Sequence, residues 1–129
     1  VLRTIKVCTI NVNQHFDFVK QDSVKFVGQF IICVCAKGFF FEKDKELALK
    51  YPFIYLGIKA SKKFGNAVAR NKFKRRIRAL VRLNPDIYNG FTTEGLNFII
   101  IARNFAKGCD FNSIALEYKK AWSFISKSI

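Results

Sequence analysis

Residues Lys59 to Arg82 read KASKKFGNAVARNKFKRRIRALVR, with ten Lys or Arg and no Asp or Glu in 24 positions, so +10 of the chain's formal +14 is concentrated there. Mutual repulsion among ten cations opposes the compact state, and a polyanion that neutralises them and releases its counterions offsets that cost. The partner expected on charge alone is therefore a nucleic acid. Gly65-Asn66 supplies a turn and an N-cap, and the residues that follow fit a helix at about 100° per residue. On that wheel Ala69, Phe73, Ile77 and Leu80 form one apolar stripe. Arg70, Asn71, Lys74, Arg75, Arg78 and Arg82 fill an adjoining arc of roughly 140°. A merely solvated helix face would interleave acids with these bases to relieve repulsion, and none is present.

At 129 residues, half of them apolar or aromatic, the chain has the size of one domain with a real core. No apolar run reaches the ~20 residues of a membrane span, and no signal peptide is legible at the start. These features predict a cytoplasmic protein with no membrane partner. Cys33 and Cys35 alternate within QFIICVCA and share one strand face, while Cys8 and Cys109 stand far apart and no C-x-x-C pair exists. A zinc site would have to gather Cys33 and Cys35 with two of Cys8, Cys109 and His15; reduced, buried thiols are the expectation, with no metal site.

Outward from the basic helix, Asn11 or Asn13 can cap a short helix through Lys20 with Phe16 and Val19 on its inner face. Val24–Ala36 and Tyr51–Lys59 read as β runs, and residues 37–50 between them as an extended hairpin connection. Asn84-Pro85 ends the basic helix. Leu96–Arg103, apolar at nearly every position, reads as a central strand covered on both faces. A last helix, Phe111 to about Ser126, sets Ile114, Tyr118, Ala121, Trp122 and Ile125 on one side.

No acid, base and nucleophile set suggests autonomous catalysis, so no catalytic residue is assigned. The cluster of Glu42, Asp44 and Glu46 is expected to pair with Lys43 and Lys45. Gly57-Ile58-Lys59-Ala60-Ser61-Lys62-Lys63 lacks the second glycine of a phosphate loop.

The run Gly57-Ile58-Lys59-Ala60-Ser61-Lys62-Lys63-Phe64-Gly65-Asn66-Ala67, followed by Arg70-Asn71-x-x-Lys74-Arg75-x-x-Arg78, resembles the signature of the protein subunit of bacterial ribonuclease P. Phe16 to Val19, the strand ending Ile101-Ala102-Arg103 and the closing amphipathic helix extend the resemblance over nearly the whole chain in family order. It implies an α+β fold: a single-domain α/β sandwich of αβββαβα order, with a four-stranded sheet and a left-handed β-α-β crossover. Residues 1–10 are expected to be an irregular N-terminal extension, and residues 11–129 the domain.

The resemblance also implies a ribonucleoprotein that hydrolyses one phosphodiester of precursor tRNA to release the 5′ leader. Its partners would be the ribonuclease P RNA and precursor tRNA, with no obligate protein partner evident, and Mg²⁺ would be held mainly by the RNA subunit and substrate. On that reading Arg70, Asn71, Lys74, Arg75 and Arg78 bind the RNA subunit, and Phe16, Ser61, Lys62, Lys63 and Arg103 bind the leader. For Phe16 plain core packing is an equal reading. The chain departs from the family pattern at Lys20, where relatives place an aromatic, at Asn97, where an acid is common, and in the Phe- and Lys-rich connection. Rival readings are a ribosomal or other general RNA-binding protein with a basic helix, a helix-turn-helix DNA binder, a stand-alone nuclease, and an RNA-recognition motif. The last rests only on Lys37-Gly38-Phe39-Phe40-Phe41, which continues as Glu-Lys-Asp where an aromatic strand is required.

Overall fold

The structure is a computed structural model that describes residues 6–9, 23–39, 42–48, 53–83, 88 and 95–129. Five strands, β1 (Lys6–Thr9), β2 (Val24–Val27), β3 (Ile31–Lys37), β4 (Phe53–Lys59) and β5 (Leu96–Ala102), form one mixed sheet in the order β1-β4-β5-β3-β2. Three α-helices are described: α1 (Asp44–Ala48), α2 (Ala67–Leu83) and α3 (Phe111–Ser126). The α+β class agrees with the sequence reading, as does the order of the strands and the two long helices from β2 onward. The expected first helix, and Phe16 with it, lies outside the described residues.

Two expectations are corrected and one is made more precise. The sheet has five strands rather than four, because Lys6–Thr9, expected in an irregular extension, pairs in parallel with β4. Alternation explains it: Val7 packs into the main core while Cys8 meets Phe53 and Tyr55 on the opposite face. The β run Val24–Ala36 resolves into an antiparallel hairpin, broken at Gly28, with β2 and β3 paired from Val24↔Cys35 to Val27↔Ile32. The connection 37–50 contains a helix. Asp44 in the first turn of α1 is buried and accepts a 2.5 Å hydrogen bond from the Tyr55 hydroxyl, which fastens the short helix to β4. Among the acids expected to pair with lysines, Glu42 meets Lys45 at 2.7 Å on the surface.

β4 and β5 are parallel neighbours, and β5 also pairs antiparallel with β3, so β5 is the central strand its composition predicts. Its alternate residues divide between two faces. Leu96, Phe98 and Ile100 join Ile54, Leu56, Ile58, Ile31, Cys33 and Cys35 beneath α2 and α3. Ile99 packs on the other face with Val34 and Ala36. The helices contribute Phe73, Ile77, Leu80 and Val81 from α2 and Ile114, Tyr118, Ala121, Trp122 and Ile125 from α3. Trp122 meets Tyr88 and Phe98 edge-on at 5.1 and 5.4 Å between ring centroids, a favoured aromatic geometry. The Tyr88 hydroxyl donates to the Val81 carbonyl at 2.9 Å and also contacts the Tyr118 hydroxyl, so both buried phenols have partners.

All four cysteines are free thiols. Burial lifts the Cys35 thiol from its ordinary 9.0 to about 12. Cys33 is raised as well, by burial first and then by Cys35 and Glu117. Both stay neutral in the fold but ionise in the unfolded chain, so their contribution is fully present below the unfolded pKa of 9.0 and is lost as pH rises toward about 12. Each thiol should therefore reduce stability by up to about 1.4 kcal/mol per pH unit in that window. Chemical denaturation at stepped pH checks this, with Cys35→Ala expected to flatten the alkaline decline. A thiol titration at mild pH should leave Cys33 and Cys35 unreacted until the chain unfolds.

Candidate nucleic-acid interface

The basic helix begins where the sequence places its cap. The Asn66 side-chain oxygen accepts from the Ala69 N–H at 2.9 Å, and its carbonyl accepts from the Arg70 N–H at 3.0 Å. Just upstream, Ser61, Lys62 and Lys63 are exposed in a turn closed by the Phe64 N–H on the Ser61 carbonyl at 3.0 Å. Phe64 itself is buried against Phe73, with ring centroids 5.4 Å apart, so the turn is anchored while its lysines face solvent.

Along α2 the apolar stripe is buried and the predicted arc is open: Asn71, Arg75 and Arg82 are exposed, and Arg70, Lys74 and Arg78 half-exposed. Among the described residues no acid pairs with Arg70, Lys74, Arg75 or Arg78. These side chains keep their donors free for an external acceptor, and guanidinium groups can engage phosphate oxygens two at a time.

Strand register assembles the second group. β4 and β5 run in the same direction, with Lys59 opposite Ile101, so the turn after β4 and Arg103 after β5 occupy one end of the sheet. β3 starts at that end, Ile31 opposite Ala102. Ser61, Lys62, Lys63 and Arg103 are thus brought to one edge together with the N-terminus of α2, whose dipole favours anions. Alternation places Lys59 and Arg103 on the sheet face away from α2 and α3. Phe16, assigned to the same surface, lies outside the described residues.

Arg103 is held in place. Its backbone N–H donates to the Phe30 carbonyl at 2.9 Å and its Nη1 to the Gly28 carbonyl at 2.6 Å. The same hairpin turn is clamped from the helix side by Glu117, which is only 8% exposed. Its carboxylate accepts from the N–H groups of Gln29, of Phe30 at 2.8 Å and of Ile31 at 3.0 Å, three donors that offset the cost of burying the charge. A Cβ on Gly28 would collide with that carboxylate, so glycine is needed there for close approach. Asn97 is fully buried and donates to the carbonyls of Gly38 at 2.8 Å and Ala36 at 3.4 Å. A carboxylate there would face carbonyl oxygens with nothing to donate.

Three of the described acids do such structural work: Asp44 bonds Tyr55, Glu117 the hairpin, and Asp110 caps α3 through the Ser113 N–H at 2.7 Å. That hydrogen bond holds the Asp110 carboxyl below its ordinary pKa. No three His, Cys, Asp or Glu side chains converge as a metal cage among the described residues. Nor is any helix among them long and apolar enough to cross a membrane. What the surface offers is cationic side chains and amide donors for phosphate.

The family model for Ribonuclease P matches residues 6–126. The chain belongs to the ribonuclease P protein family. The Ribonuclease P protein component of Rickettsia bellii is 36% identical over 116 residues, spanning 89% of this chain and 91% of that one. That of Lachnoclostridium phytofermentans is 36% identical over 103 residues, 80% and 76% of the two chains. Among solved structures, a Staphylococcus aureus RNase P protein mutant superposes with a TM-score of 0.68 at 23% identity, over 90% of this chain and 86% of that one. The Thermotoga maritima RNase P protein gives 0.66 at 19%, over 87% and 92%. At these identities the two structures bear on the fold, which this family member shares.

Wheel and motif found the arc on α2. They did not find Glu117 and Gly28, which support Arg103 through a turn 75 residues before it in sequence, nor the cations of α2 outside the arc. Glu117→Ala would strand three backbone donors and Gly28→Ala would push the carboxylate away. Each single substitution is expected to destabilise by about 1–3 kcal/mol, and the double by less than the sum, because truncating the Glu117 side chain vacates the space that a Cβ at position 28 needs. A double-mutant cycle of urea midpoints measures that coupling; additive losses would mean the two residues do not act through one contact.

Proposed function

We propose that this chain is the protein component of a ribonuclease P ribonucleoprotein that binds the catalytic RNA subunit and the 5′ leader of precursor tRNA. It assists endonucleolytic removal of the leader, giving the mature tRNA 5′ end, and works in the cytoplasm. The observation that carries this reading is the acid-free arc of α2, set on a buried stripe in a member of this family. Phosphates of the RNA subunit would meet Arg70, Lys74, Arg75 and Arg78, with the Asn71 amide adding a donor. A general RNA-binding protein with a basic helix would share the arc, but the family match favours ribonuclease P.

The leader would lie along the sheet edge. Lys62 and Lys63 would neutralise its phosphates, Ser61 would donate a hydroxyl, and Arg103, fixed through the Gly28 carbonyl, would add its guanidinium charge. Phe16 is assigned to stack a leader base, a contact that accepts any sequence. Mg²⁺ held by the RNA subunit and substrate supplies the charge neutralisation for phosphodiester hydrolysis, while this chain's residues bind and orient. Leader contacts add affinity for the substrate and nothing for the product, which lacks the leader, and this favours turnover.

Arg75→Ala and Arg78→Ala should weaken binding to the RNA subunit and lower the slope of log K against log salt by about 1 per lost phosphate contact, with the fold intact. Filter binding across a salt series decides it, and an unchanged slope in both variants would count against phosphate contact. Cleavage of precursor tRNA should require added RNA subunit and Mg²⁺. In the assembled holoenzyme Lys62→Ala should lower affinity for precursor tRNA but scarcely for mature tRNA. An equal loss for both would remove Lys62 from the leader site.

A further inference from the structure

β2 is the last strand of the sheet, and its pairing with β3 fixes which way its backbone groups point. The Gly28 N–H donates to the Ile31 carbonyl at 2.9 Å, and antiparallel pairs alternate between bonded and non-bonded. Phe26↔Cys33 and Val24↔Cys35 therefore belong to the bonded set, and Lys25 and Val27 turn their N–H and C=O groups outward. Among the described residues no strand pairs with that outer edge. Lys25 is exposed, and Val27 is 56% exposed.

The α3 side of this edge is apolar. Alternation turns Phe26 toward α3, where its ring meets that of Phe124 at 5.9 Å between centroids. Phe26, Phe30 and Leu116 line a groove of about 420 Å³ between the hairpin and α3, which Lys120 and Glu117 also border. Leu116, Lys120 and Phe124 recur at every fourth position of α3 and so share one face of the helix. Leu116 is 62% and Phe124 49% exposed. Glu117 is the one acid lining the groove, and its carboxylate already accepts from the Phe30 and Ile31 N–H groups. Lys120 in the groove and Lys25 on the edge thus set the local charge.

We propose that the outer edge of β2, with the groove beside it, is a docking site for an extended acidic segment of a partner protein, added as a strand antiparallel to β2. Main-chain hydrogen bonds to Lys25 and Val27 supply affinity, and alternate side chains supply selectivity. The added residue opposite Lys25 lies on the sheet face away from α3, where an acid completes a cross-strand ion pair. Its neighbours turn toward α3 and carry apolar side chains into the groove. A second copy of this chain fits the edge less well: each copy bears a formal +14, and a lysine within the strand opposes self-pairing. Because α3 packs on β2 and β3 while α2 packs on β4, the site lies across α3 from the basic arc.

The test is fluorescence anisotropy of the full chain with a labelled heptapeptide in which glutamate and valine alternate, at ~0.15 M salt. The probe should bind saturably, and the same peptide with lysine for glutamate at least about tenfold more weakly. Lys25→Glu should narrow that preference roughly tenfold. Leu116→Ala should weaken the glutamate probe roughly fivefold with no change in Tm, because Leu116 is exposed. N-methylation of the glutamate amides should abolish binding and N-methylation of the valine amides should not, since only the former face Lys25 and Val27. Equal effects of the two methylations would rule out edge pairing and overturn the proposal. So would a probe that ignores Lys25→Glu and Leu116→Ala but is weakened by Arg75→Ala and Arg78→Ala, because it would then lie on α2. Weaker binding of ribonuclease P RNA by Leu116→Ala would give this flank to RNA, and a dimer in sedimentation that Val27→Lys dissociates would give the edge to a second copy. Either result overturns the proposal.

Discussion

The parallel pairing of β4 with β5 is the constraint from which the rest of the surface follows. Parallel neighbours cannot be joined by a tight turn, so the chain must cross from one end of the sheet to the other, and the crossover here contains α2. Because α2 makes that crossing, its start is fixed beside the end of β4 and its apolar stripe is pressed on the sheet. Because β5 runs the same way as β4, Arg103 emerges at the end where the Ser61–Lys63 turn already lies. One topological choice thus brings together cationic residues separated by some forty positions in the chain.

Charge is distributed with a similar logic. Asp44 and Glu117 are buried and bonded to structural donors, and Asp110 caps a helix. These three acids hold α1, the β2–β3 hairpin and α3 in place rather than relieve repulsion along α2. The cations are left exposed, a configuration that raises the free energy of the isolated protein and makes a polyanion the means of lowering it. Stability comes from the apolar core between the sheet and the two long helices, which can carry that repulsion because each helix buries an unbroken stripe.

Several features that looked like departures in the sequence have local physical causes. At position 97 an amide fits, because two carbonyls, of Ala36 and Gly38, converge there and require a donor. The connection between β3 and β4 is rich in phenylalanine and charge because it must do two things. Phe39 packs on Tyr55 and Phe53, and Asp44 meets the Tyr55 hydroxyl, while the intervening charges stay in water.

The sequence by itself determined the two long helices with their buried faces, the cap at Asn66, the central strand and the acid-free arc, since each depends on periodicity or spacing within one segment. Its motif also identified the family. Tertiary structure alone decided that Lys6–Thr9 joins the sheet, that Val24–Ala36 folds back at Gly28, and that residues 44–48 coil into a helix. Strand pairing and the burial of Asp44 depend on partners distant in the chain, and no local pattern encodes them. The Glu117 clamp behind Arg103 and the groove between β2 and α3 belong to the same class. Both are made by residues far apart in sequence, which only the packed fold brings within reach of one another.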